Sequence, residues 1–187
     1  MLDEKQRQTL LAIARESING VLSGRPIDLK AIEIDDALRR PAGAFVTLTT
    51  EGGDLRGCIG SIAAVEPMFK AVSSSAISAA LRDPRFTPVR PAELPRLHVE
   101  ISVMGPIERV KDVDEIQVGR DGLIISRGPY AGLLLPQVAT DYGWDREEFL
   151  DHTCMKAGLP AGAWRSPDTK IEKFSAEVFG EETSEQK

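Results

Sequence analysis

The sequence predicts an α+β chain with antiparallel hairpins and an internal duplication. Three observations carry this. Alternating apolar runs joined by a turn, the mark of a hairpin, occur twice, at 43–62 and at 123–135. Each hairpin is followed by helical spacing and then by a further alternating run. The two hairpin entries also rhyme, Gly43-Ala44-Phe45-Val46-Thr47 against Gly122-Leu123-Ile124-Ile125-Ser126. A length of 187 residues suffices for one good core or two small lobes sharing one. The chain reads as a single domain, with an N-terminal helix over 3–24, a first half over about 43–104 and a second over about 122–179.

The elements follow in order. Leu10, Leu11, Ala14, Ile18, Val21 and Leu22 recur at helical spacing, and Gly24 with the Arg25-Pro26 step stops that helix. A linking segment with a short helical piece comes next. Gly43 to Thr50 is a strand, Glu51-Gly52-Gly53-Asp54 a turn, and Leu55 to Ile62 the return strand. Pro67 opens a second helix running to about Arg82, rich in small residues and suited to close packing. Asp83 to Pro91 is a proline-punctuated crossing. Leu97 to Met104 alternates, with His98, Glu100 and Ser102 on its polar face, and Gly105-Pro106 is expected to end or kink it. Leu123 to Arg127 and Tyr130 to Leu135 form the second hairpin. Helices are expected over about 136–142 and 145–157, with Asp145 as cap and Gly158 as stop, and Ile171 to Phe179 as a closing strand. The tail from Glu181 to Lys187 is expected to fray.

Composition narrows the function classes. The net charge of -6 and the absence of a long basic run argue against a nucleic-acid grip, as does the scarcity of aromatic–basic platforms. No apolar run approaches membrane-spanning length, and the N-terminus is too polar for a signal peptide. Two scattered cysteines point to free thiols in a reducing cytoplasm. No phosphate loop, dinucleotide fingerprint or metal-ligand spacing is present, so no cofactor is expected.

The chemistry concentrates in Leu55-Arg56-Gly57-Cys58-Ile59-Gly60. On a strand, Arg56 and Cys58 share one face, and Leu55 and Ile59 take the other, toward a core. A fixed guanidinium beside a thiol favours the thiolate. Gly57 and Gly60 would leave bare backbone where a ligand can approach, and their N–H groups could hold an oxyanion. Glu100, on the polar face of a neighbouring strand, is the natural acid for Arg56, with Ser102 beside it. Asp83 and Arg85 either line a ligand cleft or tie the loop down. Cys58 itself reads as a functional thiol or as a small buried filler. If the halves are duplicates, Arg56 and Cys58 correspond to Ala131 and Leu133, so the polar pair exists in one half only.

The other polar residues have plainer readings. His98 is expected as an edge histidine rather than a base for the thiol. His152 and Cys154 are two apart on a helix and cannot face one ligand, so Cys154 goes to the core. Arg127, Gly128 and Tyr130 make a structural hairpin tip, and Trp144 and Trp164 are expected as partial core or lobe-interface residues.

LRGCIG at 55–60, DPRFTPV at 83–89, EISV at 100–103, GLLLPQVA at 132–139 and CMKAGL at 154–159 with Trp164 beyond stand in an order that resembles the AMMECR-one domain family, also called the AmmeMemoRadiSam system protein A family. The resemblance spans nearly the whole chain. It implies an α+β fold with two mixed lobes around antiparallel sheet. It also implies partners, a Memo-like protein and a radical-SAM enzyme, and marks Arg56, Gly57, Cys58 and Gly60 as the family's candidate site. It brings no settled activity. Two readings follow: a small cytoplasmic enzyme or enzyme subunit with Cys58, Arg56 and Glu100 catalytic and Gly57, Gly60, Ser102, Asp83 and Arg85 binding a small molecule, or a ligand-binding or adaptor module without chemistry.

Overall fold

The computed structural model describes residues 1–181 except 28, 30 and 31. The tail expected to fray lies, beyond Glu181, outside the described residues. Helix α1 spans Glu4–Leu22, and its start is set by a reciprocal cap in which Gln6 N–H donates to Asp3 Oδ1 and Asp3 N–H to Gln6 Oε1. Gly24, at φ +65°, ends it in the left-handed conformation that favours glycine. The described part of the linking segment carries turns over 36–39 rather than a helix. Strands β1 (Ala44–Thr50) and β2 (Leu55–Ser61) form the first hairpin, followed by α2 (Met68–Leu81) and β3 (Leu97–Arg109). Then come β4 (Asp121–Arg127), β5 (Tyr130–Leu134), α3 (Pro136–Tyr142), α4 (Arg146–Lys156) and β6 (Lys170–Gly180). Asp145 caps α4 as its sequence predicts, with a reciprocal bond to Glu148. Gly105-Pro106 does not end β3, which continues to Arg109.

The chain divides into two compact units. The first holds Met1–Met104 with the chain from Glu177 onward, and the second Gly105–Ala176. In the first, β1 pairs antiparallel with β2 on one side and β3 on the other. Helices α1 and α2 cover one face of this sheet. Leu10, Ile13 and Ile18 from α1 and Val72, Ala76 and Ala79 from α2 meet Val46, Leu48, Val99 and Ile101 in a core that excludes solvent almost completely. At ~25 cal/mol per Å² of apolar surface removed from water, this core is the main stabilising term of the unit. The run of small residues on α2 lets its backbone come close: a Cβ on Gly57 would stand 2.2 Å from Ala79 O.

The second unit repeats the plan. Strand β4 pairs antiparallel with β5 and with β6, and α4 packs on them around Phe149, Leu150, Cys154, Leu123 and Ile125. Trp144 and Trp164 pack half-buried against this core. A Cβ on Gly132 of β5 would stand 2.4 Å from Ala157 N, the same close approach of helix to return strand. Thus Leu48↔Gly57 in one unit corresponds to Ile125↔Gly132 in the other. The alignment predicted for Cys58 and Leu133 holds, whereas the predicted match of the hairpin entries shifts by two residues, Thr47 falling on Ile124 and not on Ser126. The alignment predicted for Arg56 does not hold. The pairing of β1 with β2 slips between Leu48 and Thr49, whose partners are Gly57 and Leu55, so Arg56 is the extra residue of a β-bulge. Leu55, not Arg56, corresponds to Ala131.

Candidate functional site

The bulge changes what β2 presents. Beyond it, alternation holds: Ile59 packs on the helix-covered core, and Cys58 takes the opposite face. Before it, parity is reversed. Leu55 stands across from Thr49 and is exposed, contrary to its expected place in the core. Arg56 turns to Glu93, its Nε donating to Oε1 at 3.1 Å, rather than to Glu100. Glu93 is held below the ordinary carboxylate range by the Arg90 N–H and the Arg56 guanidinium.

Cys58 is half-buried, and its sulfur accepts a hydrogen bond from Thr47 Oγ1 at 3.3 Å. Thr47 is its direct partner across the β1–β2 pair, and Glu100 is the partner of Thr47 on β3. Cys58, Thr47 and Glu100 therefore form one row across three strands, on the face opposite the helices. Next to it runs Gly60, Phe45 and Ser102, and on the other side Leu55, Thr49 and His98. His98 lies in that neighbouring row, not in the row of the thiol. Glu100 stays accessible to solvent, and partial desolvation on the sheet face raises its carboxyl above the usual range.

The backbone of Cys58 is clamped from the loop after α2. Its N–H donates to Asp83 Oδ2 at 2.9 Å, and its carbonyl accepts from Arg85 Nη2 at 3.4 Å. Asp83 is almost fully buried. It accepts also from Arg85 N, Nε and Nη2, at 3.1, 3.0 and 2.7 Å. The Arg85 guanidinium, with the two backbone donors, holds the Asp83 carboxyl far below the usual range. Arg85 remains half exposed over the Phe86 ring, so it is the cation that borders Cys58 while still facing solvent.

The glycines serve packing. The bare side of Gly57 is filled by α2, and a Cβ on Gly60 would stand 2.3 Å from Ala44 O and 2.5 Å from Phe45 Cγ. Neither leaves the open backbone that the motif predicts, and the Cys58 N–H is spent on Asp83 rather than on an oxyanion. Two residues were not singled out from the sequence. Thr47 is legible in hindsight, since the alternation of β1 puts it on the face of Cys58; Glu93 carries no sequence signal. Elsewhere, Cys154 is fully buried, and that burial raises its thiol; His152 stacks on Trp144 with ring centroids 3.8 Å apart. Among the described residues no group of His, Cys, Asp and Glu gathers to hold a metal, and no helix is long and apolar enough to cross a membrane.

The model of the AMMECR1 family matches residues 11–179. The chain belongs to the AMMECR1 family. A protein of Methanothermobacter thermautotrophicus is 46% identical, over 97% of both chains. Protein TK0174 of Thermococcus kodakarensis is 44% identical, over 92% of this chain and 89% of its own. The crystal structure of the uncharacterized protein PH0010 from Pyrococcus horikoshii superposes with a TM-score of 0.87 at 43% identity, covering 97% of this chain and 94% of that one. This bears out the α+β fold. None of these relatives carries a named activity.

Proposed function

We propose that this family member is a cytoplasmic enzyme or enzyme subunit that uses Cys58 as a nucleophile toward an electrophilic carbon of a small substrate. The observation that carries this reading is the setting of the thiol. Cys58 is half-buried on the sheet face, its sulfur is oriented by the Thr47 hydroxyl, and its backbone is locked by Asp83 and Arg85. A packing cysteine needs neither the hydroxyl nor the clamp. In the step, the Cys58 thiolate adds to the carbon; an S–C bond forms, the leaving group departs with its bonding pair and takes a proton from water, and the hydroxide so formed then attacks the same carbon and frees the Cys58 thiolate. Arg85 faces an anionic part of the substrate. Arg56 positions Glu93 and the rim of the hairpin. Glu100 receives the substrate two strands away.

Alkylation of native protein, resolved site by site by mass spectrometry, tests it. Cys58 is expected to react under native conditions and Cys154 only on unfolding. Cys58→Ser is expected to keep the fold and lose turnover. A Cys58 as inert as Cys154 until unfolding would refute the role.

A second reading is favoured by one fact: the guanidiniums of Arg56 and Arg85 are already bound by carboxylates. Here the same face is a docking surface for the Memo-like protein or the radical-SAM enzyme of the family's system, and Cys58→Ser is silent. Pull-down with the purified partners separates the readings.

A further inference from the structure

The internal repeat supplies a control for the Cys58 row. Its counterpart in the second unit is Leu133, Ile124 and Glu172. The glutamate recurs, whereas cysteine and threonine become leucine and isoleucine. In the second unit the glutamate is neutralised from within: Lys170, two residues earlier on β6, places Nζ 2.6 Å from Glu172 Oε1. The residue at the position of Lys170 in the first unit is His98, since Ser126↔Lys170 corresponds to Thr49↔His98. Glu100 forms no ion pair among the described residues, and desolvation alone displaces its carboxyl. Beside it on β3 stands Ser102, which is 3% exposed. The row that holds the thiol thus keeps the carboxylate and omits the cation.

We infer that the missing cation belongs to the ligand: Glu100 receives an ammonium or guanidinium group of a substrate whose reactive carbon lies at Cys58. This rests on the reading of Cys58 as the reactive group. The backbones of Cys58 and Glu100 are two strand spacings apart, about 10 Å. A linear molecule of that length, cationic at one end and electrophilic at the other, lies along the row over Thr47. The partly desolvated carboxylate gains most from such a partner, because its lost hydration is replaced by a charge. Ser102 Oγ accepts a hydrogen bond from the same ammonium.

Three methanethiosulfonates test this with one chemistry. The thiolate forms a disulfide and methanesulfinate leaves, and the reagents carry an aminoethyl, a methyl or a sulfonatoethyl group. Relative to a free thiol in the same buffer, the aminoethyl reagent is expected to modify Cys58 about tenfold faster than the methyl reagent. Glu100→Gln abolishes that preference. Glu172→Gln, which removes the same formal charge from the second unit, leaves it intact. Equal preference in the native protein and in Glu100→Gln would overturn the inference. A second measurement needs no thiol. Cadaverine titrated into Cys58→Ser protein is expected to give saturable amide shifts at Thr47 and Glu100 that vanish in Cys58→Ser/Glu100→Gln. Their absence, or persistence without Glu100, would overturn it as well. A Cys58 inert to all three reagents beside cadaverine binding at Glu100 would remove the thiol reading and leave the cation site. A reactive Cys58 without cadaverine binding would do the reverse.

Discussion

Asp83 is the residue on which the geometry of Cys58 depends. It is buried, it accepts the Cys58 N–H and three Arg85 donors, and its partner Arg85 reaches the Cys58 carbonyl. The folded-state carboxyl is depressed below its unfolded value near ~3.9. A depressed acid contributes stability that is present above the unfolded value and lost as pH falls through the folded one. The contribution of Asp83 is therefore intact at neutral pH and disappears only in the acid range below about pH 4. Asp83→Asn removes the charge and keeps one acceptor. It is expected to lower stability at pH 7 by about 1–3 kcal/mol, the range for losing charge-assisted bonds to a buried group. Thermal melts from pH 6 down to pH 2 check this, since the gap between the two proteins should narrow steadily below about pH 4. A gap that stays constant with pH would mean that Asp83 contributes by shape and not by charge.

At the scale of elements, the hairpins show what a sequence discloses and where it stops. Helix and strand periods were legible because one face of each is buried, so α1, α2, β1, β4, β5 and α4 stand within a few residues of their expected places. The face of Cys58 was legible for the same reason. The contact of Arg56 was not. A single extra residue in β2 breaks the period of two, and nothing in LRGCIG marks which residue is extra. The role of the glycines was also hidden, because bare backbone looks the same from the sequence whether a ligand or a helix covers it. The structure puts Ala79 against Gly57 and Ala157 against Gly132. Gly57→Ala and Gly132→Ala should each force the helix off the strand and cost about 1–3 kcal/mol, as overpacked cores do. Guanidinium titration of the two variants measures this. A neutral Gly57→Ala would return that glycine to the ligand reading.

For the whole molecule, duplication separates what folding requires from what function adds. Two units with the same strand pairings and the same helix-to-glycine approach carry different residues in equivalent rows. A residue type needed by the fold recurs, as the glycines do. A residue type present once answers to something else, and Cys58 and Thr47 are of that kind. The double variant Thr47→Ile/Cys58→Leu writes the second unit's row into the first, on a plan already shown to accept it. Strands bear β-branched residues well, and Cys58 contributes a half-buried rather than a fully buried side chain. The double variant is therefore expected to fold with stability within about 1 kcal/mol of the parent, since exchanges away from a packed core or buried network stay small. Every thiol-dependent reaction of Cys58 is lost with it. Calorimetry together with dispersion of amide resonances checks the first half of this expectation. A collapse in stability of several times that size would place Cys58 and Thr47 among the packing residues. A folded but unreactive double variant, beside a parent that reacts at Cys58, would show that the row is dispensable to the architecture.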